Sequence, residues 1–313
     1  MKQPILFTHN DLDGVSCGVV ARLFFPSIKI YYCDYTEIDD KILSMVRFMT
    51  SKTKILISDI SYKKENDANI TKYLKYHDVY IADHHMTSLW LRDKFDKTRI
   101  EGDGDKCGTV LLMELLSQYE SPKAKINKER LDYFLDNVNK WDTWTWVSGM
   151  NKANLYANEP LWFNNAMYVL GNEKFHNKVI DYITGKSDVL FDEDDNIQIE
   201  EYNLNQDIEI KNAITFRRYG LYHSEHYSRD LKFMYIDLNN SFQSLTSLLA
   251  SEVKDSDIDF IMLRNKEKDT GSLRYPKQDV DLSIIASELG GGGHKAAAGF
   301  NYTDNVNKLR MME

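Results

Sequence analysis

The chain is short of cysteine, of long apolar runs and of basic residues. Three cysteines, Cys17, Cys33 and Cys107, are scattered through 313 residues. Their odd number and wide spacing give neither a disulfide framework nor a metal-type pair, which points to a reducing, cytoplasmic setting. The apolar stretch from Val15 to Phe25 carries Arg22 and is shorter than the ~20 residues a bilayer needs, so no membrane span is expected. No apolar segment of the signal-peptide kind opens the chain. Lys and Arg number 39 against 48 Asp and Glu, a net charge of -9, and the basic residues never run longer than a pair. That balance argues against a track for long nucleic acid, whose affinity rests on many phosphate contacts. Internal repeats and low-complexity tracts are absent as well.

With 42% hydrophobic residues, a chain of this length buries a sizeable core and divides into two domains. Strand-like runs near 4–8, 28–33, 54–58 and 79–82 alternate with helical patterns at 14–25, 38–50 and 64–76. This alternation predicts an α/β domain, a mostly parallel sheet with helices on both faces. Helical patterns continue at about 108–120, from 128 into a Trp-rich segment, and at about 160–185. An acidic stretch, Phe191 to Asp195, opens a polar connector reaching about 213. Beyond it the pattern becomes β-like at 214–223, 231–238, 258–264 and 271–275, with helices at 241–253 and 281–289. The expected organisation is residues 1–186, a connector over 187–213 and a smaller α+β domain over 214–313, with the active site in the cleft between the domains.

Polar donors punctuate the ends of the first apolar runs. Pro4–Thr8 is followed by His9, Asp11, Asp13 and Gly14, Ile55–Ser58 by Asp59, and Val79–Ala82 by Asp83, His84 and His85. In an open α/β sheet the carboxyl ends of neighbouring strands converge on one crevice. Carboxylates and imidazoles without thiolates suit hard or borderline cations, Mn²⁺ first and Mg²⁺ as the alternative. Their number suits two ions bridged by a shared carboxylate, the arrangement that hydrolyses phosphate esters by in-line attack. Asp-Leu-Asp-Gly alone would be read as a turn, and Asp-His-His alone as a chance tripeptide. Three clusters, each closing an apolar run in one ordered half of the chain, make a metal centre the better reading.

The motifs His9-x-Asp11-x-Asp13-Gly14, Asp59 and Asp83-His84-His85 resemble the first three motifs of the DHH phosphoesterases. Gly290–Gly293 with His294, continuing to Gly299 and Phe300, resembles the signature of the associated DHHA1 domain. The resemblance covers nearly the whole chain and implies a DHH catalytic domain and a DHHA1 substrate domain. It also implies hydrolysis of nucleotide phosphoester bonds with two divalent ions. Under it His9, Asp11 and Asp59 hold one ion, and Asp13, Asp59, His84 and a later Asp hold the other, with Asp59 as the bridge. The later Asp is Asp142 in Lys-Trp-Asp-Thr-Trp, since the family's fourth motif is an Asp followed by Thr or flanked by aromatics. Asp136 is the alternative. Asp83 would orient a ligating His from behind, and His85 would face the scissile phosphate. The two-residue spacing of His9 and Asp11 resembles the exonuclease and oligoribonuclease side of the family.

Four of the 15 glycines stand together at 290–293. Bare glycine backbone approaches a phosphate closely and offers several N–H donors, and Arg suits bidentate phosphate recognition. Arg274, Gly291, Gly292, Gly293 and His294 are therefore the expected clamp for the nucleotide's phosphate end. Asp103 to Glu114 nearly fits a calcium-binding loop, but Cys107 stands where an oxygen ligand belongs, so a loop entering a helix is expected there. Trp141, Trp144 and Trp146 are expected to pack together before any of them stacks a base.

The expected activity is release of nucleoside 5′-monophosphates from short RNA or DNA oligonucleotides or dinucleotides. Alternatives are a cyclic-dinucleotide or 3′-phosphoadenosine-5′-phosphate hydrolase, a RecJ-like single-strand exonuclease, and a nucleotide-binding module without catalysis. No membrane partner is expected, and the sequence allows a homodimer.

Overall fold

In the computed structural model the described residues are 3–102, 104–149, 155–238, 256–293 and 295–312. The chain divides into two compact units, Met1–Glu200 and Glu201–Glu313.

The first unit is built on five strands, β1 (Ile5–Thr8), β2 (Lys29–Tyr32), β3 (Lys54–Ser58), β4 (Asp78–Asp83) and β5 (Thr98–Ile100). They lie in the order β2-β1-β3-β4-β5, and every pairing is parallel. Successive strand residues face opposite sides. Ile5, Phe7, Ile55, Ile57, Val79 and Ile81 join one core with Ile38, Ile42 and Val46 of α2 (Ile38–Val46) and Ile70 and Leu74 of α3 (Asp67–Leu74). Leu6, Leu56 and Tyr80 alternate to the other face, where α1 (Leu12–Phe24) and α4 (Gly108–Tyr119) pack on the sheet. Burial on both faces explains why these strands read as unbroken apolar runs. The strand order reverses between β1 and β3, which is where ligands bind in open sheets of this kind.

Three further helices, α5 (Lys128–Asp142), α6 (Glu159–Leu170) and α7 (Asn172–Thr184), pack beside α1. The single helix expected at 160–185 is two, because Gly171 takes a φ of 72° and ends α6. The connector is one helix, α8 (Glu193–Thr215), and it runs into the segment expected as strand. Ile199, Gln206 and Ile210 are buried along it, so the helical face continues past 213.

The second unit holds β6 (Arg218–Ser224), β7 (Arg229–Leu238), β8 (Phe260–Asn265), β9 (Thr270–Arg274), β10 (Gly292–Gly293), β11 (Ala297–Asn301) and β12 (Leu309–Met311). Their order is β10-β11-β9-β8-β7-β6-β12, with only the β7–β8 pair parallel. Phe233 and Tyr235 face Leu282, Ile285 and Ala286 of α9 (Leu282–Glu288), while Met234 and Ile236 face Ile210 and Ile214 of α8. The helix expected at 241–253 lies outside the described residues. Among the described residues, no helix is long and apolar enough to cross a membrane.

His176 of α7 is fully buried beneath α1, and its Nε2–H donates to the Val15 carbonyl at 2.8 Å. Burial, aided by the Arg22 charge, holds its pKa down at about 4 against the opposing pull of the Val15 carbonyl and Glu173. Below the ordinary histidine value the unfolded chain takes up a proton that the native state refuses, so stability falls as pH drops from about 6.5 to about 4. The loss in melting temperature between about pH 7 and about pH 5 should be smaller in His176→Gln. An identical loss in both proteins would contradict this account of the site.

Candidate metal centre

The site forms at the carboxyl ends of β1, β3 and β4. Asp11 caps α1, accepting from the Gly14 N–H at 3.0 Å, and its other oxygen lies 2.8 Å from His9 Nδ1. Burial would raise its carboxyl, but the His9 contact and the Gly14 N–H outweigh that and hold it at about 2. Asp13, in the first turn of α1, is buried and accepts from the Gly108 and Thr109 N–H groups at 2.6 and 2.8 Å. It thus closes the positive N-terminus of α4. Asp59 follows β3 with a φ of 58°, a left-handed conformation that Asp tolerates better than most residues.

His84 Nε2 lies 3.4 Å from Asp59 Oδ1, 3.4 Å from Asp142 Oδ2 and 4.0 Å from Asp13 Oδ2. Asp142 arrives from the last turn of α5. Asp136, two turns earlier, is an exposed acid paired with Lys140 at 2.6 Å. Burial, reinforced by the charges of Asp13 and Asp11, drives the Asp59 and Asp142 carboxyls well above the usual range.

Donor atoms fall into three groups, each within 4.8 Å: His9, Asp11 and Asp59; Asp13, His84 and Asp142; Asp59, His84 and His85. Asp59 belongs to two of them. Its Oδ2, and that of Asp142, are buried with no hydrogen-bond partner among the described residues. Buried carboxylate oxygens without donors, beside other carboxylates and imidazoles, fit divalent metal ions.

Asp83 is in none of these groups and meets the donor set through His85. It is fully buried and accepts from Ser61 Oγ at 2.5 Å, from Ser88 Oγ, and from His85 Nδ1 at 2.7 Å. Burial would raise its carboxyl, but the His85 charge and these donors keep it well below the usual carboxylate range. Asp83 is expected to orient a ligating His, and its hydrogen bond is to His85, the residue also expected at the phosphate. His85 follows β4 by two residues and folds back onto Asp83, while its ring stays 4.3 Å from that of His84. Burial opposes charging of His85, but Asp83 outweighs it and raises the imidazole to about 9.

Several contributors escaped the sequence reading. The Gly108 and Thr109 amides are backbone groups with no side-chain signal. Tyr35, just after β2, puts its hydroxyl 3.0 Å from His85 Nε2. As expected from the sequence, Trp141, Trp144 and Trp146 stack on one another with centroids 5.4 to 6.5 Å apart. The calcium-loop lookalike ends as expected in a helix, with Cys107 at the N-cap of α4.

In the second unit, β9 sets Arg274 opposite Ala297 of β11, and Ala298 of β11 pairs with Gly293. Arg274 and Gly292–Gly293 therefore share one corner of the sheet. Among the described residues the half-buried Arg274 donates to the Leu273 and Ala298 carbonyls, and its Nε is buried without a partner. Burial without a carboxylate partner pulls it down to about 10. Gly291 has a packing reason to be glycine: a Cβ there would lie 2.0 Å from the Gly299 carbonyl oxygen. His294 lies outside the described residues.

No protein-family model matches the chain. It is 26% identical over 325 residues to oligoribonuclease NrnB of Bacillus subtilis (strain 168), covering 98% of this chain and 75% of that one. In fold it is similar to the pGpG-specific phosphodiesterase PggH of Vibrio cholerae, with a TM-score of 0.53 and 14% identity over 98% of this chain and 97% of that one. It is also similar to RecJ of Thermus thermophilus in complex with Mn²⁺, with a TM-score of 0.51 and 11% identity over 96% of this chain and 49% of RecJ. The donor cluster thus stands on a fold shared with these proteins, and the likeness to a protein named as an oligoribonuclease runs along nearly the whole chain. The resemblance to the DHH/DHHA1 phosphoesterases, first carried by the motifs, extends over nearly its whole length.

At Gly108 a Cβ would stand 2.7 Å from Asp59 Cβ and 2.9 Å from Asp13 Oδ2. Gly108→Ala should therefore weaken Mn²⁺ binding by roughly 10- to 100-fold, as disturbance of the groups supporting metal ligands does, while circular dichroism stays unchanged. Unaltered Mn²⁺ affinity would show that this approach does not shape the centre.

Proposed function

We propose that the protein is a two-metal-ion phosphodiesterase that cleaves short oligonucleotides or dinucleotides to nucleoside 5′-monophosphates. The observation that carries the reading is the convergence of Asp11, Asp13, Asp59, His84 and Asp142 at the strand ends where the sheet order reverses between β1 and β3. His9, Asp11 and Asp59 would hold one ion, and Asp13, Asp59, His84 and Asp142 the other, with Mn²⁺ the favoured metal. Such ions, when bound, supply the charge that activates water and neutralises the phosphoryl oxygens. The name of the Bacillus subtilis relative supports an oligonucleotide substrate. The three cysteines, all free and buried, support a cytoplasmic enzyme.

The protein's own groups have distinct tasks in this reading. Asp83, anchored by Ser61 and Ser88, fixes the His85 ring through Nδ1. The ring's other nitrogen, Nε2, then faces outward and donates to a phosphoryl oxygen of the scissile bond. Asp13 is held in place by the amides of α4. Residues 1–186 would form the metal-binding catalytic domain, 187–213 the connector and 214–313 the substrate-binding domain. In the latter, Arg274 and the Gly291–His294 segment would take a phosphate other than the scissile one, a role that a half-buried guanidinium with no carboxylate partner among the described residues supports.

Asp142→Ala should lower kcat on a diribonucleotide by roughly 1,000-fold or more, and Asp136→Ala by less than about twofold, as expected for a ligand and a surface acid. The reverse order in steady-state kinetics would assign the fourth motif to Asp136.

Arg274→Ala should reduce kcat/KM for short RNA far more than for bis-p-nitrophenyl phosphate, which has no second phosphate to hold. Equal losses would put Arg274 in the reaction centre or in the folding core.

Substrate length gives an independent check. With a net charge of -9 and dispersed basic residues, few phosphates are contacted, so kcat/KM should peak at roughly two to five nucleotides and depend weakly on salt. Activity that climbs steadily to a 24-mer with a steep salt dependence would favour a single-strand exonuclease.

A further inference from the structure

Tyr35 lies outside every motif, yet it is tied to the centre from two sides. Its hydroxyl sits 3.0 Å from His85 Nε2. Its ring lies 5.1 Å from the His9 ring at 43° and 5.9 Å from the His85 ring at 81°. It thus bridges the donors that follow β1 and those that follow β4.

The position is built. Tyr35 stands in the turn after β2, where the Glu37 and Ile38 N–H groups both reach the Asp34 carbonyl and the Asp34 N–H reaches Glu37 Oε1. The Cys33 N–H pairs with the Thr8 carbonyl, which locks this turn to the end of β1. Despite the buried company of its hydroxyl, Tyr35 remains 46% exposed. One side of the ring is open to solvent while the polar tip reaches the reacting groups.

The geometry at His85 limits what the hydroxyl can do. Nδ1 is committed to Asp83, so Nε2 is the edge that meets substrate. An oxygen accepting from Nε2 must lie within hydrogen-bond reach of that nitrogen, the same neighbourhood that Tyr35 Oη occupies. We propose that Tyr35 is a further substrate-contacting residue, whose hydroxyl donates a hydrogen bond to a non-bridging oxygen of the scissile phosphodiester beside His85. The proposal rests on the phosphodiesterase reading and adds a second, uncharged donor that the motifs do not contain. Paired donors aimed at a developing charge are the usual means of stabilising a phosphoryl transition state. The role asks only for hydrogen bonding, with no proton transferred by Tyr35.

The test is Tyr35→Phe, which keeps the ring on His9 and removes the hydroxyl. On a diribonucleotide with Mn²⁺, kcat should fall by roughly 100- to 1,000-fold, the scale for losing one such donor, with KM changed much less. Mn²⁺ affinity and melting temperature should match the wild type, and the inhibition constant for inorganic phosphate should rise. A double-variant cycle with His85→Gln separates contact from support. If Tyr35 touches substrate, its loss still lowers kcat in the His85→Gln background. If it only props His85, that loss vanishes there, and the proposal falls. It falls equally if Tyr35→Phe matches the wild type, or if its deficit follows lost Mn²⁺ affinity or lost stability. Failure of the wild type to cleave any phosphodiester would instead overturn the underlying reading.

Discussion

Three carboxylates, Asp13, Asp59 and Asp142, crowd around the His84 imidazole at the end of a parallel sheet, with a fourth, Asp11, beside them on His9, and the rest of the first unit is arranged around that charge. Like charges at this separation cannot all stay ionised in a buried setting without compensation. The protein supplies part of it. His9 pairs with Asp11, and the N-terminus of α4 meets Asp13 with two amides. Asp59 and Asp142 each retain a buried oxygen without a hydrogen-bond donor among the described residues, and both carboxyls are driven upward. Compensation is left incomplete at the two residues closest to His84, which is where the proposed cations would complete it.

Topology explains why the charge can be gathered there at all. The reversal of strand order between β1 and β3 opens a crevice, and helices leave on opposite faces. Three consecutive strand ends, with β4 beside β3, then deliver donors from residues about 25 to 70 apart in sequence, close to the N-termini of α1 and α4. The second unit solves a different problem. Its mixed sheet holds a half-buried guanidinium against two backbone carbonyls, beside a glycine strand. A cation with no carboxylate partner among the described residues suits an anionic ligand.

Much of this was legible in the sequence because buried parallel strands read as apolar runs and their ends as polar punctuation. β1, β3 and β4 with His9, Asp11, Asp59 and His84 were visible for that reason. Tyr35 was not, because β2 is an edge strand whose residues are only partly buried, and its nearness to β1 depends on sheet order. The amides of Gly108 and Thr109 left no side-chain trace. The partnership of Asp83 with His85 turned on how His85 folds back after β4. In the glycine run, composition pointed to phosphate contact, whereas Gly291 is already required by its packing against Gly299. The continuation of α8 past the expected boundary follows from burial of Ile210 against the second sheet, which no local signal marks.

The most direct test of the central claim is electron paramagnetic resonance of the protein titrated with Mn²⁺. Two ions bridged by Asp59 should give an exchange-coupled pair that saturates at about two equivalents per chain. A spectrum of isolated ions, or saturation at a single equivalent, would contradict the two-metal account.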